Sequence, residues 1–176
     1  MVAQYPLKEP TKGGSVNGLG LMALRLVLAA VFIAHGANKL FGLWAGPGIG
    51  VGGPETTAQF FAAVGLEPNF ALAVLVGGVE LLGGVLLTIG WFTRVAAPAL
   101  IIVMGIAIWK VHMQWGFFLN WMSAPDRGQG IEFQVVLIGA LLCLTLAGAG
   151  EWSIDGTREK SAASRAAGRA RLRGKL

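Results

Sequence analysis

Four apolar runs, each near the length of a bilayer crossing, constrain this chain more than any other feature. They occupy about residues 19–41, 70–91, 95–117 and 131–150. A helix needs roughly 20 residues to cross about 30 Å of hydrocarbon at 1.5 Å per residue, and helices are the open-chain way to satisfy backbone polar groups there. Barrel strands would be much shorter and would alternate, which these runs do not. Composition agrees. Of 176 residues, 55% are hydrophobic and 13% charged, about half the roughly 25% charge of soluble domains. The 27 glycines suit membrane helices that pack closely. These values exclude a soluble globular enzyme, a disordered chain and a disulfide scaffold. A single cysteine, Cys143, rules out an intramolecular disulfide, a thiol relay and a cysteine-based zinc site. The expectation is an all-α integral membrane protein, a four-helix bundle with no metal site.

Three segments follow from the composition shifts: a polar arm over residues 1–18, a four-helix transmembrane domain over 19–155, and a basic tail over 156–176. The first apolar run is too long for a signal-peptide core and is expected to be retained as a helix. Between the first two runs, residues 46–54 are rich in glycine and proline and cannot form regular structure. After Pro54, which suits a helix start, Phe60, Phe61 and Val64 recur at helical spacing until Gly65. A short helix between helices one and two is expected here, lying in the membrane interface or capping the bundle.

Charge sets the orientation. With four spans both termini share a side, and that side collects Lys8, Lys12, Arg94, Arg158, Lys160, Arg165, Arg169, Arg171, Arg173 and Lys175. The other side holds Arg127, with Lys39 and Lys110 at its boundary. The positive-inside rule therefore predicts cytoplasmic termini. The net charge of +5 comes with no recognition motif or interleaved aromatics, so nucleic acid is not an expected partner. The lipid bilayer is. The tail either fixes topology alone or also attracts anionic lipid.

Counting 1.5 Å per residue sorts the ionisable residues by depth. Arg25 lies about 9 Å inside the cytoplasmic end of helix one, and Glu80 lies near the midplane of helix two. His35, Lys39, His112 and Glu132 gather toward the outer leaflet. Ionisable groups inside a span are costly, and a partner nearby is the default expectation. Gly77 and Gly84 flank Glu80 on its own face and let a neighbouring helix approach. His35 matches Glu80 best in depth. Such a pair would be a proton-transfer couple, or simply a tie between helices.

The order of these residues carries a resemblance. In helix one stand Arg25, His35-Gly36, Lys39-Leu40-Phe41-Gly42; in helix two and its exit, Glu80, Gly83-Gly84, Gly90 and Arg94. Further on stand His112, Gly116-Phe117-Phe118, Glu132, Gly148, Gly150, Ser153 and Asp155. Over residues 24–155 the chain resembles the DoxX family. The resemblance implies a four-helix membrane bundle in the plasma membrane of a prokaryote. It also implies likeness to the membrane subunit of a thiosulfate:quinone oxidoreductase, and a membrane or redox partner that supplies part of the chemistry. The loop over residues 120–130 and the basic tail depart from the family pattern.

Three functions are open at this level. A quinone-reactive subunit, with quinone as substrate, needs proton donors at the carbonyl oxygens: Glu80, His35, His112 and Glu132 are the candidates. Lys39, Trp109, Phe117 and Phe118 would then line the substrate slot, although the aromatics also suit an interfacial belt. Arg25, Arg94, Gly77 and Gly84 are expected to act structurally. The second function is a non-catalytic assembly or anchoring subunit. The third, the least favoured, is a haem b protein with His35 and His112 as axial ligands. No covalently bound cofactor is expected.

Overall fold

In a computed structural model, residues 14–44 and 52–173 are described. Most of the polar arm, the glycine- and proline-rich segment 45–51 and residues 174–176 lie outside the described residues, and with them Lys8, Lys12 and Lys175. The described residues are helical, without strands: α1 (Gly14–Phe41), α2 (Gly53–Ala63), α3 (Asn69–Ile89), α4 (Thr93–Ala107), α5 (Glu132–Ala147) and α6 (Ile154–Arg173). A π-helical turn, Ile108–His112, and a 3-10 turn, Met113–Trp115, prolong α4.

Three stretches are long and apolar enough to cross a membrane: Val16–Phe41, Asn69–Ile89 and Thr93–Trp115. The fourth expected span is shorter than the apolar run that suggested it. α5 has 16 residues, which is about 24 Å at 1.5 Å per residue. Gly148, with φ of 81°, ends it before the run is exhausted. α2 has Pro54 in its first turn and ends at Ala63, with Val64 as its C-cap and Gly65 just beyond at φ of 71°.

α1 and α3 make the tightest crossing. A Cβ on Gly36 would fall 2.8 Å from the Leu81 Cα, and one on Gly84 would fall 2.8 Å from Ile33 Cγ1. Only glycine permits that approach. α4 and α5 close the bundle, and Phe32, Leu87, Leu100, Leu141 and Leu144 fill its centre without exposure. Large side chains such as Val27, Leu82, Ile102 and Leu146 face outward, as lipid-facing positions should.

The end of the bundle that carries the termini is stapled by polar contacts. Arg25, buried in α1, donates from Nη1 to the Leu87 carbonyl at 3.0 Å and from Nη2 to the Trp152 carbonyl. The Asp155 carboxylate accepts from the Phe92 and Thr93 amides at 3.1 and 2.9 Å, and so caps α4. Gly90, at φ of 65°, turns the chain between α3 and α4, and its missing side chain leaves room for the Arg25 guanidinium. Arg94 is exposed beside Gly148. The basic tail, which sequence reading left without structure, forms α6. Ser153 Oγ accepts from the Gly156 amide at 2.9 Å at its start, and alanine recurs along it.

Candidate functional site: an apolar cavity with an ion pair in its wall

At the other end of the bundle a cavity of about 530 Å³ opens among α1, α2, α3, the end of α4 and α5. Its wall is mostly apolar and includes Phe32, Phe60, Phe61, Met104, Phe133 and Leu137. Four ionisable residues reach it: His35, Lys39, Glu80 and His112. Depth along the sequence places His35, Lys39 and His112 together with Glu132, and Glu80 below them; the fold brings the first three and Glu80 to one space, without Glu132.

The pairing differs from the expected one. Glu80 Oε2 accepts from Lys39 Nζ at 2.6 Å, with the two side chains 3% and 14% exposed. His35 is not the partner of Glu80. The cause is local to the crossing. Gly77 lies one turn before Glu80, and a Cβ there would fall 3.1 Å from the Lys39 Cβ. The lysine stem therefore lies along the glycine and delivers its ammonium to the carboxylate. His35, four residues before Lys39 on the same face of α1, stays exposed to the cavity. Lysine carries three donors, and the ion pair uses one.

His112 is held differently. It ends the π turn, a widened turn that recurs at functional sites. Its Nδ1 lies 2.9 Å from the Gln129 carbonyl. The buried Gln134 amide is assigned so that its nitrogen donates to the Gly130 and Ile131 carbonyls at 3.2 and 3.3 Å, because the reverse sets oxygen against oxygen. Gln134 Oε1 then sits 2.9 Å from His112 Nε2. Both ring nitrogens face oxygen acceptors, of which a neutral ring can donate to one, and the ring stands as part of the cavity wall.

The remaining expected residues lie elsewhere. Glu132 Oε2 accepts from the Leu119 amide at 3.1 Å, and the Glu132 amide donates to the Phe117 carbonyl at 2.9 Å. Glu132 thus ties the long loop to the start of α5 and does not line the cavity. Trp109, Phe117 and Phe118 are 66%, 50% and 66% exposed and also lie outside the lining. Phe117 and Phe118 pack edge to face on each other, and Lys110 sits over the Trp109 ring. Those three aromatics face away from the cavity. The aromatic wall is made by Phe32, Phe60, Phe61 and Phe133 instead. Gln134 and the π turn escaped sequence reading, since neither a lone glutamine in an apolar helix nor an extra backbone residue per turn leaves a periodic signal. Phe60 and Phe61 were visible as a helical face, but not as a cavity wall.

Fold and cavity together define a multi-pass helical membrane protein with a mostly apolar internal site and one buried ion pair in its wall. The DoxX family profile matches residues 20–113, more than half the chain, and the chain belongs to the DoxX family. It is 29% identical over 137 residues to a Bacillus subtilis protein named "Putative oxidoreductase CatD", covering 78% of this chain and 85% of that one. It is also 29% identical over 146 residues to an uncharacterized membrane protein of Mycobacterium tuberculosis, covering 81% of this chain and 83% of that one. No solved structure matches.

Proposed function

We propose that this chain is the membrane subunit of a quinone-linked oxidoreductase and that the cavity receives the quinone head group. The observation that carries the reading is the Lys39–Glu80 pair with His35 beside it, set in an otherwise apolar wall around about 530 Å³. Apolar walls suit a quinone ring, while a few polar groups fix its orientation. Reduction of a quinone to a quinol takes up two electrons and two protons. His35, and Lys39 recharged through Glu80, are the groups placed to supply protons at a bound carbonyl oxygen. The electrons come from a partner protein, because one cysteine cannot form a thiol pair. The naming of a relative as an oxidoreductase supports this class.

The cavity end faces outward in this reading and both termini are cytoplasmic, from the weight of basic residues at the terminal end. The membrane is the plasma membrane. Labelling of Asp126→Cys from outside and Ser161→Cys from inside, in a Cys143→Ser background, tests the orientation. Labelling of residue 161 from outside would reverse it.

Glu80→Gln tests the chemistry. Glutamine keeps the shape and can still accept from Lys39, but it cannot exchange a proton. With the native partner present, the variant should accumulate normally, lose most quinone-dependent turnover and lose one limb of its pH profile. Normal accumulation with unchanged turnover would leave Glu80 as a tie between α1 and α3. The protein would then be a non-catalytic assembly or anchoring subunit, a role that the exposed Trp109, Phe118 and Trp121 would serve as contact surface.

A further inference from the structure

α6 is not absorbed by this function. A helix polar on all sides has no packing of its own to hold it, and residues 157–170 are exposed throughout. Yet its residues are not scattered evenly. At 100° per residue, Arg158, Arg165 and Arg169 fall within about 20° of one line along the helix. Ile154 and Leu172, the two large aliphatic side chains of α6, fall about 40° to one side of that line. Both are exposed, at 42% and 69%. Glu159 lies about 100° away from the line. The ion pair that α6 makes among the described residues, Lys160 with Glu151 at 3.5 Å, is on the opposite side of the helix. Among the described residues the arginine line makes no ion pair.

From this geometry we propose that α6 is an interfacial helix that docks on anionic phospholipid of its own membrane through the face bearing Ile154, Arg158, Arg165, Arg169 and Leu172. One aliphatic anchor stands at each end of the face, with guanidinium groups between them. That is the pattern of a helix lying in the headgroup layer: the aliphatic tips enter the acyl boundary and the arginines stay with the phosphates. Arginine suits phosphate better than lysine, because its planar fork donates two parallel hydrogen bonds. The start of α6 is already at the membrane end of the bundle, since the Asp155 amide donates to the Gly90 carbonyl at 3.0 Å, between α3 and α4. The docking does not depend on what the cavity binds. Among possible occupants a lipid surface is favoured over nucleic acid or an acidic protein, because the face carries an aliphatic side chain at each end.

The test uses the full chain in nanodiscs, with a nitroxide label at Ala162→Cys on the proposed face or at Ala163→Cys about 140° from the line, both in a Cys143→Ser background. In discs containing phosphatidylglycerol at low salt, label 162 should be shielded from an aqueous relaxation agent and reached by oxygen, while label 163 stays aqueous. In pure phosphatidylcholine, or at high salt, label 162 should become aqueous too. Each close basic residue strengthens attachment roughly fivefold. Replacing Arg158, Arg165 and Arg169 together by glutamine should therefore weaken it about a hundredfold, and replacement by lysine should retain most of it. Circular dichroism of each variant shows whether α6 remains helical. A helical α6 whose two labels are equally aqueous in both lipids would overturn the proposal. So would shielding of label 162 only on addition of nucleic acid, or only as protein concentration rises.

Discussion

The two ends of the bundle handle buried charge in opposite ways. At the terminal end, Arg25 spends its donors on the Leu87 and Trp152 carbonyls, and Asp155 accepts from two amides at the start of α4. Those contacts close on backbone, although Arg25 Nε and Thr93 Oγ1 stay buried without a partner. At the other end, Lys39 and Glu80 close on each other at the edge of an apolar cavity, with His35 exposed to the same space. Charge tied to backbone fixes where helices begin and end. Charge placed on a cavity can meet a ligand. The molecule thus carries one polar cluster closed largely on backbone and another that borders a cavity.

The contrast breaks first, and most heavily, at Arg25. Arg25→Ala removes the donors that tie α1 to the Leu87 and Trp152 carbonyls, each charged hydrogen bond worth about 1.5–3 kcal/mol. A loss of about 3 kcal/mol or more is expected, read as a fall in thermal stability in detergent and in protein level. The fraction that folds should bind quinone as before. Weakened quinone binding in that fraction would join the two ends functionally. Gly90→Ala should follow. A methyl there overlaps Arg25 Nη1 and Ser153 Cβ, at a residue whose φ of 65° already disfavours a side chain. About 2 kcal/mol of destabilisation is expected from strain and overpacking, again with cavity binding intact.

At the cavity the signs reverse. The double variant Lys39→Met/Glu80→Leu replaces a buried ion pair by apolar groups of similar size, an exchange that is often neutral or stabilising. Its melting temperature should match or exceed that of the wild type, while quinone-dependent turnover with the native partner falls to background. A marked drop in stability would move the Lys39–Glu80 pair into the same class as Arg25. The smallest effect belongs to Cys143, an exposed thiol on α5. Cys143→Ser should change stability by less than about 0.5 kcal/mol and leave turnover unchanged. A turnover defect at normal abundance would require thiol chemistry that neither end of the bundle provides.

How much of this is legible in the sequence depends on the range of the forces involved. Helix placement is a local matter in lipid, because each backbone group must find its partner within its own segment. The apolar runs, Pro54 and Gly65 therefore located α1 to α4 closely. Local signals overstated α5, since hydropathy continues past Ala147 while the backbone at Gly148 does not. They missed α6 because its charge concealed an alanine-rich helix. Depth along each helix, a matter of counting, sets His35, Lys39 and His112 at one level, but with Glu132, and leaves Glu80 below them. Counting could not choose among partners. His35 and Lys39 share a face one turn apart, and the choice between them turned on Gly77, which lets the lysine stem reach across a separation of 41 residues to Glu80. Nor could counting tell that Glu132 clamps a loop, that Trp109, Phe117 and Phe118 turn outward, or that Gln134 lies against His112. Those outcomes depend on how each helix is rotated about its axis, which is set by contacts with other helices. The sequence by itself determined which segments are helices and how deep each ionisable group lies. The tertiary structure alone decided which of those groups meet.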